Sequence, residues 1–233
     1  MPVLTGRREG VSLVSYFPSE QTRPAAGERL SSGLLGKVFG LLAFSLAFAA
    51  VGGAVGTQIN PGWILPLFIV EIGLIFAVQA LREREGINLV LLYAFATVSG
   101  MTLGPILASY VSAGAGTVVF EAVGVTGAMT VGLSAYALTT HRNLSGLRPF
   151  LFMGLLGLIV AMVVNIFVGG TALSTLISWG GALLFSVLLI FDVNRARYAA
   201  DTMGNAVVLT LGIYLDIVNL FLFVLRILSG GRR

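Results

Sequence analysis

Residues 206–228 read AVVLTLGIYLDIVNLFLFVLRIL, a long apolar run that contains very few polar side chains. A helix needs about 20 mostly apolar residues to cross the hydrocarbon core of a bilayer, so this run predicts a transmembrane helix. Further runs of the same kind precede it at 34–56, 62–81, 87–111, 117–138, 147–168 and 172–192 or slightly beyond. The predicted fold class is therefore an all-α membrane protein. Its transmembrane domain is a bundle of seven helices at 31–233, behind an N-terminal tail at 1–30.

The overall composition supports a membrane location. Of the 233 residues, 57% are hydrophobic and only 10% are charged, whereas a soluble domain carries about 25% charged residues. The mean hydropathy is +0.96. Cysteine is absent, which excludes disulfide and thiolate chemistry, and the single histidine, His141, falls in a connection where we expect it to face solvent. Although the net charge is +4, the basic residues flank apolar runs, so membrane topology explains them better than nucleic-acid binding.

The charges alternate from one connection to the next. The connections near 57–61, 112–116 and 169–171 carry no charge, while the others and the tail are basic. Positive charge marks the cytosolic side, so we predict a flexible cytosolic N-terminal tail and a first span that acts as an uncleaved signal anchor. An even number of crossings with one re-entrant segment remains the alternative. The basic side holds 11 of the 14 Lys and Arg residues: Arg7, Arg8, Arg23, Arg29, Lys37, Arg82, Arg84, Arg142, Arg148, Arg195 and Arg197.

Carboxylates occur inside the predicted spans, at Glu71, Glu121, Asp192 and Asp216. A charge at the bilayer centre costs at least about 2.5–3.5 kcal/mol, so such residues usually face protein or water and mark a pathway or proton site. Asp216 has apolar sequence on both sides, and Asn219 shares its helix face at i+3. We therefore predict that Glu71, Glu121 and Asn219 line a path and that Asp216 lies in the interior.

Asp192 ends the sixth span and is joined to the seventh by a short connection. Consecutive spans are antiparallel neighbours, so Asp192 and Asp216 reach similar depths if helix six continues past Arg197. If helix six ends at Asn194, Asp192 is only a helix-end residue near water. Two close carboxylates in a low dielectric cannot both ionise cheaply, and carboxylate oxygens are ligands for Ca²⁺. The pair is predicted to sense protons and to bind Ca²⁺ weakly, with Arg82 either a latch on the pair or a simple anchor.

Small residues suggest where helices pack closely. Gly52 and Gly56 in the first span, and Gly124 and Gly127 in the fourth, form faces that favour close helix approach, most simply within one molecule. The third span contains residues 104–105, the pair Gly104-Pro105. Since proline removes a backbone donor and clashes with the preceding turn, we expect a kink there.

Three segments together resemble the Bax inhibitor-1 family, also called the transmembrane Bax inhibitor motif family. They are YAFATVSGMTLGPI at 93–106, FSVLLIFD at 185–192 and LGIYLDIVNLF at 211–221. The resemblance covers nearly everything but the tail. It implies a seven-helix bundle with a hydrophobic central helix and a pH-sensitive Ca²⁺ leak, with Ca²⁺ as the transported or weakly bound ion and no cofactor. It also implies a multi-pass protein of the bacterial inner membrane, with a membrane protease as an alternative partner.

The resemblance also implies roles for individual residues. Asp192 and Asp216 match the paired aspartates of the bacterial calcium-leak members, and Arg82 matches the arginine that latches them. Glu71 and Glu121 fall at carboxylate positions of those members.

Other functions remain to be weighed. An intramembrane aspartyl protease also needs two facing aspartates, but Asp216 lies in Gly-Ile-Tyr-Leu-Asp rather than in Gly-Xaa-Gly-Asp, and no Pro-Ala-Leu element follows. A retinal protein needs a lysine in the last helix, whereas the single lysine is Lys37. A zinc enzyme needs more ligands than one histidine. We therefore predict that the protein is not an enzyme, and a regulatory protein without transport activity stays open as the alternative.

Overall fold

The computed structural model describes residues 32–142 and 144–230, so the predicted tail at 1–30 lies outside the described residues. The described chain folds into helices that are each long and apolar enough to cross a membrane, and the prediction of seven spans is confirmed. Their bounds are α1 Ser32–Gly56, α2 Ile64–Ala80, α3 Ile87–Ser112, α4 Gly116–Thr139, α5 Arg148–Val168, α6 Thr171–Ala196 and α7 Met203–Gly230.

The connections are short, so consecutive helices run in opposite directions across the bundle. Short 3₁₀ turns at Pro61–Trp63 and Ser145–Leu147 precede α2 and α5. Gly169 and Gly170 join α5 to α6 with φ angles of 66° and 105°, a backbone conformation that glycine adopts without steric cost. The start of α1 and the ends of α2, α4 and α6 therefore lie at one end of the bundle, which we call the basic end because the Lys and Arg side chains of the connections cluster there.

Helix α7 occupies the centre of the bundle. It packs against α6, α1 and α4, and more lightly against α3 and α2. Its buried residues extend along the whole helix from Ala206 to Leu225, as the resemblance implied for a central helix. The helices α2 and α5 lie at the rim, since each has a single buried residue, Val78 and Leu151 respectively.

Close backbone contact joins α1 to α3. A Cβ atom at Gly52 would collide with the carbonyl oxygen of Thr97, and one at Gly100 would collide with that of Ala49. Gly104 lies equally close to the backbone at the end of α1. The small face predicted for the first span therefore packs within the molecule, where the absence of side chains lets the two backbones touch.

The other predictions about small residues have different outcomes. A Cβ atom at Gly124 or at Gly127 would meet nothing within 4 Å, so the packing face predicted for α4 is wrong. Helix α3 continues through Pro105 to Ser112. A bend at Gly104 and Pro105 stays a prediction.

Candidate functional site: an acid pair between α6 and α7

Asp216 lies deep inside the bundle. It is the fourteenth residue of α7, about 20 Å from the start of the helix at 1.5 Å per residue. Its side chain is 5% exposed, and its Oδ2 atom is shielded from solvent without a hydrogen-bond partner among the described residues. A buried polar atom without a partner costs about 1–3 kcal/mol of stability. Burying Asp216 therefore lowers the stability of the bundle, and helix packing alone does not require an acidic residue at this position.

Asp192 approaches the same face of α7. Its residue is half-buried, one turn before the end of α6. A Cβ atom at Gly212 would sit 2.6 Å from Oδ2 of Asp192, so the absence of a side chain at Gly212 lets this carboxylate lie against α7. Gly212 lies one helical turn before Asp216, so Asp192 contacts the face of α7 that carries Asp216. The structure therefore brings the two predicted aspartates together.

The depths of the two aspartates differ by about a turn. Helix α6 ends at Ala196, and Arg197 follows it, so the structure falls between the two sequence-based alternatives for the end of this helix. Because Asp192 faces Gly212 rather than Asp216 itself, it lies nearer to the basic end by about four residues, or about 6 Å. The pair is staggered along α7, with one member close to the interface and the other in the interior.

Arg82 lies outside this pair in the present arrangement. Its guanidinium is 3.6 Å from Glu83 and largely exposed, while its backbone carbonyl packs against Gly204 and accepts a 2.9 Å hydrogen bond from Asn88. Within residues 32–142 and 144–230, no ion pair joins Arg82 to either aspartate. The role of Arg82 as a latch stays a prediction.

Other arginines surround the pair at the basic end. Arg195 is exposed and lies three residues after Asp192, so the two residues are neighbours on the surface of α6. Arg197 is buried and donates hydrogen bonds of 3.2 Å and 2.8 Å to the carbonyls of Ala137 and Thr140. Helix carbonyls at a C-terminus carry partial negative charge, so Arg197 holds the end of α4 against α6. The sequence alone grouped both arginines as topology signals and missed these contacts.

Glu71 belongs to a second polar group one helix away. Its Oε1 atom is shielded from solvent and has no hydrogen-bond partner in the part of the chain that the structure describes. Tyr214, two residues before Asp216, is fully buried, and its hydroxyl has no hydrogen-bond partner among the described residues. Glu71 is therefore half-buried on α2, and its role in lining a path stays a prediction.

The remaining path candidates are placed less centrally. Glu121 is exposed near the start of α4, at the end of the bundle opposite Asp192. Asn219 is half-buried, and its amide donates a 2.8 Å hydrogen bond to the carbonyl of Leu215 in its own helix. Glu121 therefore lies far from the aspartate pair, whereas Asn219 is one turn from Asp216 on α7, and their roles in a path stay predictions.

Sequence reasoning missed a row of hydroxyls on α4. Thr126, Thr130 and Ser134 follow each other at intervals of four residues on its inward stripe, and their oxygen atoms are shielded without partners among the described residues. Other buried hydroxyls, such as Ser186 and Thr210, donate to the carbonyl four residues earlier in their own helices. The four-residue spacing between these hydroxyls was the signal that could have revealed the row.

The site offers carboxylate oxygen atoms as ligands, in surroundings of low dielectric constant inside the bundle. Within the described residues no group of three or more His, Asp or Glu side chains could hold a metal ion. Two staggered carboxylates suit a proton or a hard cation that binds weakly and leaves again. The exposed His141 lies in the connection after α4 and takes no part in the pair.

A bundle of seven membrane helices around a central helix with a buried acidic residue defines the class of this protein. The family model described as "Inhibitor of apoptosis-promoting Bax1" matches residues 31–233. The chain therefore belongs to the Bax inhibitor-1 family, and the resemblance of the three sequence segments is confirmed.

Bacterial relatives align along most of the chain. An "Uncharacterized membrane protein" of Vibrio cholerae is 36% identical over 214 residues, which cover 89% of this chain and 95% of the relative. The "Modulator of FtsH protease YccA" of Escherichia coli K12 is 32% identical over 203 residues, covering 86% and 91%. The same identity holds for an "Inner membrane protein YccA" of another Escherichia coli strain. With the seven apolar helices, these relatives identify the chain as a multi-pass protein of the bacterial inner membrane.

Proposed function

We propose that this protein is a pH-sensitive calcium leak channel in which the Asp192–Asp216 pair controls the passage of the ion. The observation that carries this proposal is the position of the Asp192 carboxylate against Gly212, one turn from a buried and unpartnered Asp216. Two carboxylates in such surroundings cannot both be ionised cheaply. They therefore exchange protons or cations more readily than two isolated surface acids.

Protons and Ca²⁺ compete for the same oxygen atoms in this proposal. Because Ca²⁺ binds the deprotonated pair, higher Ca²⁺ shifts the midpoint of the pH response toward lower pH. Protonation or cation binding changes the charge between α6 and α7. The two helices respond by changing their spacing, which opens or closes the path along α7.

The test uses the purified full chain in liposomes loaded with a Ca²⁺ indicator. We expect the wild-type flux to change between about pH 6 and 8, the range in which coupled acids and histidines commonly titrate. Asp216→Asn and Asp192→Asn should each give a flux that no longer depends on pH. The matched control is Asp201→Asn, which removes an exposed acid between α6 and α7 that pairs with Lys37 at 2.9 Å. An unchanged pH response in both variants of the pair would overturn the proposal.

The predicted latch is tested in the same liposomes. If Arg82 holds the closed state by pairing with an aspartate in another conformation, Arg82→Gln raises the flux at the pH where the wild type is most closed. Arg84→Gln is the control, since Arg84 lies in the same exposed connection. Equal fluxes in the two variants would leave Arg82 as an anchor of the membrane interface.

A second candidate function rests on the relative that is named a modulator of FtsH protease. In this alternative the protein binds a membrane protease or stress factor and alters its activity without transport. The test measures the degradation rate of a membrane protease substrate in cells with and without the chain. If Asp216→Asn abolishes the pH response of the flux but retains the effect on degradation, binding and transport are separate functions of the chain. A chain that shows no flux at any pH and retains the effect on degradation would favour modulation alone.

A further inference from the structure

A groove at the basic end lies between α5 and α6. Its volume is about 480 Å³. Helix α5 contributes the wall from its first turn to Leu155, and α6 contributes its last turns from Leu188 to Asp192. The groove opens toward the rim of the bundle because α5 has one buried residue. It therefore lies on the outside of the bundle, beside the first turns of α5 and the last turns of α6.

The groove carries one positive and one negative side chain. Arg148 is the first residue of α5 and Asp192 lies one turn before the end of α6, and both line the groove. No ion pair within 4 Å joins them in the part of the chain that the structure describes. The helix N-terminus beside Arg148 adds partial positive charge. The two ends of the groove therefore suit a ligand that carries separated negative and positive groups.

The rest of the lining is apolar, comprising Pro149, Leu151, Phe152, Leu155, Leu188 and Phe191. A second groove of about 510 Å³ between the same helices shares Leu151 and is lined by apolar residues as far as Ala161 and Leu173. Gly157 and Gly180 contribute to its lining, and a Cβ atom at either would meet nothing within 4 Å. Acyl chains therefore find apolar surface along α5 and α6.

We propose that this groove is a binding site for a phospholipid with a primary amine headgroup. The phosphate pairs with Arg148, and the ammonium group donates hydrogen bonds to Oδ1 of Asp192, because Oδ2 lies against Gly212 on α7. Arginine presents several N–H donors in a planar arrangement that suits phosphate oxygens. A primary ammonium has three N–H donors for a carboxylate, whereas a quaternary choline ammonium has none. An anionic lipid without an amine brings its phosphate close to Asp192 but offers no positive group to pair with the Asp192 carboxylate.

The test is lipid binding to the purified full chain by native mass spectrometry. Phosphatidylethanolamine, phosphatidylcholine and phosphatidylglycerol with identical acyl chains are titrated separately. We expect the ethanolamine lipid to bind about tenfold more tightly than the other two, as charge-assisted hydrogen bonds predict. Equal binding of the three lipids to the wild type would overturn the proposal.

Two charge variants assign the headgroup contacts. Asp192→Asn should remove the preference for the ethanolamine lipid over the glycerol lipid, and Arg148→Gln should weaken all three lipids. Arg142→Gln is the matched control, because Arg142 is an exposed arginine of the same connection that does not line the groove. A preference that survives Asp192→Asn would overturn the assignment of the ammonium group.

A shape variant keeps the test decisive if a charge variant fails to fold. Leu155→Trp fills the groove and retains both charges, so it should reduce the binding of the ethanolamine lipid. Val160→Trp is its control, since Val160 is exposed on the same helix and lines neither groove. Undiminished binding to Leu155→Trp would overturn the location of the site. The readout is lipid occupancy rather than Ca²⁺ flux, so the outcome does not depend on whether the protein is a channel.

Discussion

Helices α5 and α7 are both apolar enough to span a membrane, but they occupy opposite environments. Helix α5 has the highest mean hydropathy of the seven and one buried residue, whereas α7 contains Thr210, Asp216 and Asn219 and is the most buried helix. In a bilayer, lipid solvates an apolar side chain as well as a protein interior does, so hydrophobicity does not drive a helix inward. A helix is instead drawn to the interior by polar side chains that need partners and by small residues that allow close packing. The most apolar helix is therefore found at the rim.

The largest effect is expected where backbones touch. A Cβ atom at Gly100 would collide with the backbone of Ala49, and backbone atoms cannot rotate away. We expect Gly100→Ala to lower the free energy of unfolding by about 3 kcal/mol, the upper part of the usual cost of overpacking. On α5, Gly157→Ala meets open space and should raise stability slightly, because alanine is the better helix former. Steric-trapping measurements in bicelles check both, and equal destabilisation would contradict the contrast between interior and rim.

The second largest effect is expected from a substitution that creates a cavity beside the central helix. Leu220 on α7 is 0% exposed, whereas Leu156 on α5 is 42% exposed. Leu220→Ala should cost about 2 kcal/mol of unfolding free energy, near the lower end for buried leucine because lipid already solvates the unfolded helix. Leu156→Ala should cost much less, since lipid fills the space. The same unfolding assay measures both, and a Leu156→Ala cost as large as that of Leu220→Ala would place α5 in the interior.

Gly212 tests the acid pair without removing either carboxylate. A Cβ atom there would sit 2.6 Å from the Asp192 carboxylate, which is the end of a side chain that can move aside. Gly212→Ala should therefore change the unfolding free energy by less than about 1 kcal/mol, while separating Asp192 from α7 and weakening the pH response of Ca²⁺ flux. Gly180→Ala on α6 is the control because its Cβ meets nothing within 4 Å. An unaltered pH response in Gly212→Ala would indicate that the proximity of the two aspartates has no functional role.

The smallest effect is expected at the surface of the basic end. Lys37 and Asp201 form a 2.9 Å ion pair between α1 and the connection after α6, and both side chains are more than 40% exposed, at 43% and 42%. Exposed ion pairs contribute about 0.2–1 kcal/mol. A double-mutant cycle with Lys37→Gln and Asp201→Asn should give a coupling energy in that range, and it should decrease at high salt. A coupling energy above that range would contradict the expectation that an exposed ion pair contributes little to the stability of the bundle.

Much of the fold could be predicted from the sequence, because a bilayer imposes a length of about 20 apolar residues on each span. The predicted spans differ from the observed helices by at most a few residues, with the largest difference at the end of α6. The packing of α1 was also predicted, since glycines at helical spacing leave a face without side chains. The equivalent inference failed for Gly124 and Gly127, because spacing alone does not reveal whether a neighbouring helix lies against the face.

The candidate site was predicted in part. Asp192 and Asp216 could be paired from the sequence because consecutive membrane helices are antiparallel and both residues lie in apolar surroundings. The partners of the pair could not be predicted. Arg82 lies beside Glu83 rather than beside Asp192, and Gly212 makes the approach of the Asp192 carboxylate to α7 sterically feasible. These relations depend on the rotation of each helix about its axis. A helix that is apolar on every face gives no sequence signal for that rotation.

The sequence by itself determined that the chain spans a membrane seven times, which residues are costly to bury, and which family it belongs to. The spans and the costly residues follow from hydrophobicity and length, and the family follows from three short segments, all of which are local along the chain. Only the tertiary structure decided that α7 is central and α5 peripheral, that Asp192 lies against Gly212, and that Arg148 and Asp192 share a groove. The physical reason is that lipid accepts any apolar face equally, so helix order and rotation depend on close packing and polar contacts between distant segments.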